Sequence, residues 1–199
     1  RQREQTTQIQ EAARRAAALT RQLLLFARKQ PAQPIPCDLG AIVSEHAKLL
    51  RRLIGENIAL KLELPSDPLP IVADVNMVEQ VAMNLVVNAR DAMPRGGTLF
   101  LRATRATLAA AEAARASCPP GDYAALFVRD TGCGIPAADR QRIFEPFFTT
   151  KPAGQGTGLG LSTVLGIVQQ HHGGIALESE EGRGSQFAIY LPLASALAA

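Results

Sequence analysis

Apolar and polar positions along the 199-residue chain recur with two periods, one of helices and one of strands. Over residues 1–30, Ile9, Ala12, Ala16, Leu19, Leu23 and Phe26 follow alternating steps of three and four, with no Gly or Pro before Pro31. This predicts one long helix whose apolar seam suits another helix. At about 1.5 Å per residue it would be ~45 Å long, too long for a small domain to bury, so it reads as half of a hairpin or dimer element. Pro31, Pro34 and Pro36 mark residues 31–37 as a linker. A second helix is expected from Asp38, a capping residue, to Ile54, with Gly55 as its stop. Alternation over Ile58–Leu64 predicts a strand, and Leu69–Ala73 a short second one. Asp74 can cap a long helix running to Met93, ended by Pro94 and the Gly96-Gly97 turn. Thr98–Thr104 and Tyr123–Arg129 read as strands; the Ala-rich Leu108–Ser117 between them fits a short helix or an insertion. A helix over Leu159–His171 follows a Gly-rich loop, and strands Ile175–Glu180 and Gln186–Leu191 close the set. The sum is a mixed sheet with helices on one face, an α+β two-layer sandwich.

Charge refines this division. The 21 Lys+Arg and 18 Asp+Glu leave +3, with a pI near 9.0. Residues 1–30 hold seven basic and two acidic residues, hence +5, and the remaining 14 basic and 16 acidic give −2. The basic pI therefore belongs to the first segment, and the dense basic stripe of a nucleic-acid binder is absent. Apolar residues at 47% and charged ones at 20% exclude a disordered or collagen-like chain. No apolar run reaches the ~18 residues of a membrane span. Cys37, Cys118 and Cys133 are odd in number and widely separated, which supports neither a disulfide framework nor a zinc site.

Three groups of residues carry candidate chemistry. Asn84, Asn88 and Asp91 stand at i, i+4 and i+7 of the helix from Asp74, on one stripe, while Val78, Ala82, Leu85 and Ala89 take the opposite face. Asn and Asp are poor mid-helix residues, and three in one stripe need either a solvated face or a hard cation such as Mg²⁺. Asp130-Thr131-Gly132-Cys133-Gly134-Ile135 follows the apolar strand: an acid at a strand end, then Gly-x-Gly, allows a sharp turn and the close approach of a flat ligand. By itself it is also an ordinary turn. Gly154-Gln155-Gly156-Thr157-Gly158-Leu159-Gly160-Leu161-Ser162 opens the last long helix, where N–H groups and the helix dipole suit phosphate. A dinucleotide fold is disfavoured because these glycines follow a loop, not a buried strand, and the absence of Gly-x-x-x-x-Gly-Lys-Ser/Thr excludes a P-loop.

In this order and spacing, the elements resemble those of sensor histidine kinases. Residues 84–92, NLVVNARDA, resemble the N box; DTGCGI at 130–135 is similar to the first glycine box; FEPFFTTK at 144–151 resembles the F box; GQGTGLGLS at 154–162 resembles the second glycine box. The closing GGIALESEEGRGSQFAIYLP is similar to the family's last strands, so the likeness covers Asp38 to Pro192. LTRQLLLFARKQ resembles the second helix of the dimerisation hairpin of hybrid, phosphorelay-type kinases. The resemblance implies a Bergerat ATP-binding fold over 38–193, preceded by the partial hairpin at 1–30 and followed by a tail at 194–199. It implies ATP and Mg²⁺, with Asn88 on the metal and Asp130 on the adenine amine. Gly132, Gly134 and Ile135 would shape the adenine pocket, and Ser185 would assist through water. Phe144–Lys151 and Gly154–Gly160 would form a lid, with Phe148, Lys151, Gly156, Thr157, Gly158, Leu159, Gly160 and Leu161 around the nucleotide. Arg90 and Asp91 are further nucleotide contacts on this reading, and Asn84, Asn88 and Lys151 its catalytic set. Asn84 stands where hydrolytic relatives carry a Glu, and an amide is no base, which points to transfer to a protein side chain.

His46, His171 and His172 lie in nothing like the family's acceptor motif, so no phosphoacceptor histidine is expected in this chain. At His171-His172 a cationic side chain would suit the end of a helix dipole. The expected partners are an upstream acceptor helix, a second copy of the chain and a response-regulator receiver domain, in the cytoplasm, with neither nucleic acid nor membrane. The alternatives are a gyrase- or mismatch-repair-like ATPase and a non-catalytic nucleotide-sensing dimer module.

Overall fold

The computed structural model describes residues 33–152 and 156–194. The helix expected over 1–30, Pro31, Gly154 and the tail beyond Ala194 lie outside the described residues. Within them the order is β1 (Ile35–Asp38), α1 (Leu39–Ile54), β2 (Ile58–Glu63), β3 (Pro70–Ala73), α2 (Val75–Ala92), β4 (Gly97–Leu108), α3 (Ala110–Ala116), β5 (Gly121–Asp130), a 3₁₀ turn at Arg142–Phe144, α4 (Gly160–Gln170), β6 (Gly174–Glu180) and β7 (Gly184–Pro192).

Five strands form one mixed sheet in the order β2-β4-β5-β7-β6, with β2 parallel to β4 and the other neighbours antiparallel. Side chains alternate across it. Leu99, Leu101, Leu126, Val128, Phe187 and Ile189 face the main core, where they meet Leu50 and Ile54 of α1, Leu85 and Val86 of α2, and Val164 and Val168 of α4. The three long helices therefore share one face of the sheet, as the periodicity predicts. The seven-residue α3 settles the Ala-rich stretch as a helix and lies on the other face: Ala113 and Ala116 cluster with Leu108 and Tyr123, flanked by Ala176 and Tyr190.

Helices α1 and α2 begin where their capping residues stand. Asp38 accepts from Gly40 N–H, and Asp74 from the N–H groups of Asn76 and Met77, which satisfies donors a helix start leaves open. Gly55 ends α1 with φ of 79°, which L side chains rarely adopt.

The linker reading of residues 31–37 is corrected in part. Ile35–Asp38 pairs antiparallel with Pro70–Ala73 as a separate two-stranded ribbon, so the strand predicted near 69–73 joins β1 and not the main sheet. Prolines are compatible with so short an edge pair because it needs few donors. No helix among the described residues is long and apolar enough to cross a membrane.

Candidate nucleotide site

The C-terminal half of α2 is the spine of the site. Val78, Ala82, Leu85 and Ala89 are buried, which turns Asn84, Asn88 and Asp91 towards the loop that precedes α4. Asn84 Nδ2 donates to the carbonyl of Gly160 at 3.3 Å. The Asn88 amide stands against Gly160 as well, 3.7 Å from where a Cβ would lie. These contacts fasten the start of α4 to the polar stripe of α2. Asn84, expected among the catalytic residues, thus uses its amide as a structural tie.

At the end of α2 the carboxylate of Asp91 gathers two cations. Arg90 Nε and Nη2 donate to Oδ1 at 2.9 and 2.7 Å, and Lys151 Nζ donates to Oδ2 at 2.6 Å. Burial would raise this carboxyl, but the hydrogen bonds and charges of Lys151 and Arg90 outweigh it and hold Asp91 below the usual value. Arg90 Nη1 also donates to the carbonyl of Leu53 at 3.3 Å, which points this side chain towards the end of α1.

The other half is built on β5. Its last residue, Asp130, is 4% exposed and accepts from Gly132 N–H at 2.8 Å and Ser185 N–H at 3.3 Å. Both bonds reach Oδ1; no other described residue donates to Oδ2. Burial prevails over these bonds and pushes the Asp130 carboxyl up. Gly132 lies against the end of α2, where a Cβ would sit 2.5 Å from the Ala92 carbonyl, and Cys133 N–H donates to the same carbonyl at 3.0 Å. Gly134 has φ of 68° and room for no Cβ beside the backbone of Glu180. The Gly-x-Gly turn therefore sits wedged between α2 and the β6–β7 turn, and joins Asp130 to the amide stripe as one site.

Ile135 N–H donates to Ser179 Oγ at 2.8 Å, and that hydroxyl is 2.9 Å from Ser185 Oγ. Ser179 is absent from the predicted set, although it ties Ile135 to Ser185. Its only signal is its register opposite Ser185, which is visible once β6 and β7 are paired. Arg142 is a second such residue: its guanidinium lies 4.5 Å from the centre of the Phe148 ring.

In the glycine-rich turn, Phe147 N–H donates to the Gly158 carbonyl at 2.9 Å. Gly158 adopts φ of 66° against the Phe147 backbone. Thr157 Oγ1 accepts from Leu159 N–H at 3.4 Å. The side chains of Leu159 and Leu161 turn inwards: Leu159 is buried and Leu161 packs on the main core, so at these two positions only the backbone faces the site.

None of the histidines belongs to this arrangement. His46 Nδ1 faces the Ile42 carbonyl and Nε2 faces Glu79. His171 is buried, and its Nε2 accepts from Asp74 N–H at 3.0 Å while Nδ1 donates to the Ile167 carbonyl at 2.8 Å. That pairing requires the neutral ring and corrects the cationic role expected at this helix end.

A buried acid at a strand end, a tight glycine turn and a polar helix stripe facing a second glycine turn define an ATP-binding α+β sandwich. The family model for histidine kinase-, DNA gyrase B- and HSP90-like ATPases matches residues 73–195, and the chain belongs to that family. Within it the relatives are sensor kinases. The chain is 50% identical over 187 residues to the sensor kinase CckA of Brucella abortus, covering 92% of this chain and 20% of that protein. It is 32% identical over 181 residues to sporulation kinase E of Bacillus subtilis, covering 90% and 22%. The chain thus spans about a fifth of the length of these relatives. Among solved structures, full-length ShkA in complex with AMPPNP superposes with a TM-score of 0.76 at 26% identity, over 98% of this chain and 39% of that one. The mycobacterial sensor histidine kinase MprB gives 0.64 at 26% identity, over 80% and 97%. The domain is the ATP-binding catalytic type of sensor histidine kinases.

Proposed function

We propose that this domain binds Mg-ATP and presents its γ-phosphoryl to a histidine outside the chain, for relay to a receiver-domain aspartate. The observation that carries the reading is Asp130: a buried carboxylate at the floor of a glycine turn, with Oδ1 held by two backbone N–H groups and Oδ2 left to accept from an amine such as adenine's. Gly132 and Gly134 let the turn pack tightly against the end of α2 and the backbone of Glu180, which holds Asp130 in place beside it, and Ile135 and Ser185 line the same turn. The phosphate chain would lie between Asn88 and the backbone of Gly156–Gly160, within reach of Lys151, with Thr157, Leu159, Leu161 and Phe148 shaping that loop. Asn88 offers a hard oxygen suited to Mg²⁺, which supplies charge neutralisation at phosphate oxygens when bound there.

Phosphoryl transfer between these groups depends on positioning and charge, which the two glycine turns and Lys151 provide. Asn84 cannot activate water, and its amide is engaged with Gly160, which favours transfer over the hydrolysis of a gyrase-like ATPase. His46 and His171 are tied to helix carbonyls, so the acceptor is assigned to an upstream helix, in a homodimer, with a receiver domain as the later partner. The reading places the domain in the cytoplasm, where ATP is supplied.

The test is labelling with γ-labelled Mg-ATP, using the chain alone and a longer chain that carries an upstream acceptor helix. Acid-labile label is expected on the longer chain and absent from residues 1–199. Label on His46, His171 or His172, or steady phosphate release without any labelled protein, would overturn the assignment.

A further inference from the structure

The Asp91 cluster is more than a surface ion pair. Its carboxylate side chain is 24% exposed and holds Arg90 on one oxygen and Lys151 on the other. The two cations differ in their other anchors. Arg90 is also fastened to the Leu53 carbonyl, whereas the Lys151 ammonium is held in this cluster by Asp91. The Lys151 stem reaches Asp91 across Gly156, where a Cβ would stand 3.2 Å from Lys151 Cβ and Cδ. A residue with a side chain at 156 would crowd that path.

Resting on the nucleotide-site reading above, we propose that Asp91 is a positioning residue: it holds Lys151 in the nucleotide-free domain and competes with the nucleotide phosphates for it. Asp91 lies one turn beyond Asn88 on the polar stripe of α2, so Lys151 is kept beside the region where the phosphates would enter. Arg90 makes the exchange feasible. When a phosphate takes Lys151, the carboxylate keeps a two-point partner and is not left as an unpaired, half-buried charge. The exchange is specific to phosphate because Asp130, at the adenine end of the site, is hydrogen-bonded to Gly132 and Ser185 and shares no partner with the cluster. Asp91 thereby weakens every phosphate-bearing ligand and leaves adenosine untouched.

The experiment is calorimetric titration of the whole chain with adenosine and with Mg-ATP. Asp91→Asn and, as a second substitution without the charge, Asp91→Ser are expected to bind Mg-ATP about three- to tenfold more tightly, with adenosine affinity unchanged. In a Lys151→Gln background the gain should disappear, because the cycle isolates the Lys151 contribution. Unchanged or weaker Mg-ATP binding in both Asp91 variants would overturn the proposal. So would a gain that persists without Lys151, since that would be simple relief of repulsion between Asp91 and phosphate. Failure of the underlying site reading gives a different result: wild-type protein would bind neither adenosine nor Mg-ATP.

Discussion

Replacing Asp130 by Asn changes one oxygen for one amide and separates binding from stability. The amide oxygen can still accept from Gly132 and Ser185 N–H, so the NH₂ group takes the place of Oδ2 and meets the adenine amine donor to donor. Losing a hydrogen bond to a charged acceptor costs about 1.5–3 kcal/mol, a roughly 10- to 150-fold loss of affinity. The effect on the empty domain has the opposite sign. Burial raises the Asp130 carboxyl despite its hydrogen bonds, so the ionised form costs stability at neutral pH. An acid whose folded value lies above its unfolded value loses stability as pH rises through the folded value. The variant, which carries no charge, escapes that loss. Without nucleotide, Asp130→Asn should therefore melt at or above the wild-type temperature at pH 7, and the gap should close below the unfolded carboxyl value. Thermal denaturation over a pH series, followed by calorimetry with ATP, reads both effects. A variant less stable at pH 7 would make Asp130 a structural residue, and undiminished ATP affinity would remove it from the adenine site.

Asn88→Ala should lower Mg-ATP affinity and blunt its Mg²⁺ dependence while adenosine binding holds; a parallel loss of adenosine binding would show a general disruption. Gly134→Ala should cost more than the ~1–2 kcal/mol of a left-handed residue, because the new Cβ also meets the Glu180 backbone. Gly182→Ala, at φ of 80° with open space around it, should show the conformational cost alone in urea denaturation. His171→Phe keeps the bulk but leaves the Asp74 N–H and the Ile167 carbonyl without the ring that bridges them. A loss of about 1–3 kcal/mol in the urea midpoint analysis is expected, with ATP affinity of the folded protein unchanged.

Features written in local sequence were legible. Asp38 and Asp74 cap their helices because a short acid satisfies N–H groups two or three residues away, a requirement that involves no distant partner. The alternation of β2, the short apolar runs of β5 and β7 and the polar stripe at 84, 88 and 91 are patterns local to a strand or a helix. The acid–glycine turn at 130–134 and the glycine-rich turn before α4 could be placed for the same reason, and their order along the chain identified the family. Pairing across long separations decided the rest. Ile35–Cys37 reads as part of a linker because its partner strand, Pro70–Ala73, is distant in sequence, 36 residues away where Cys37 meets Ala73. The Ser179–Ser185 contact needs the β6–β7 register, and the His171–Asp74 bond spans 97 positions and fixes a neutral ring where helix polarity favoured a cation. Lys151 and Asp91 stand 60 residues apart and meet because α2 and the F-box segment are brought together at one edge of the site. The sequence by itself determined which residues bear the chemistry. The tertiary structure decided which of them share a charge or a hydrogen bond, because those energies depend on distances of a few ångströms that only chain folding sets.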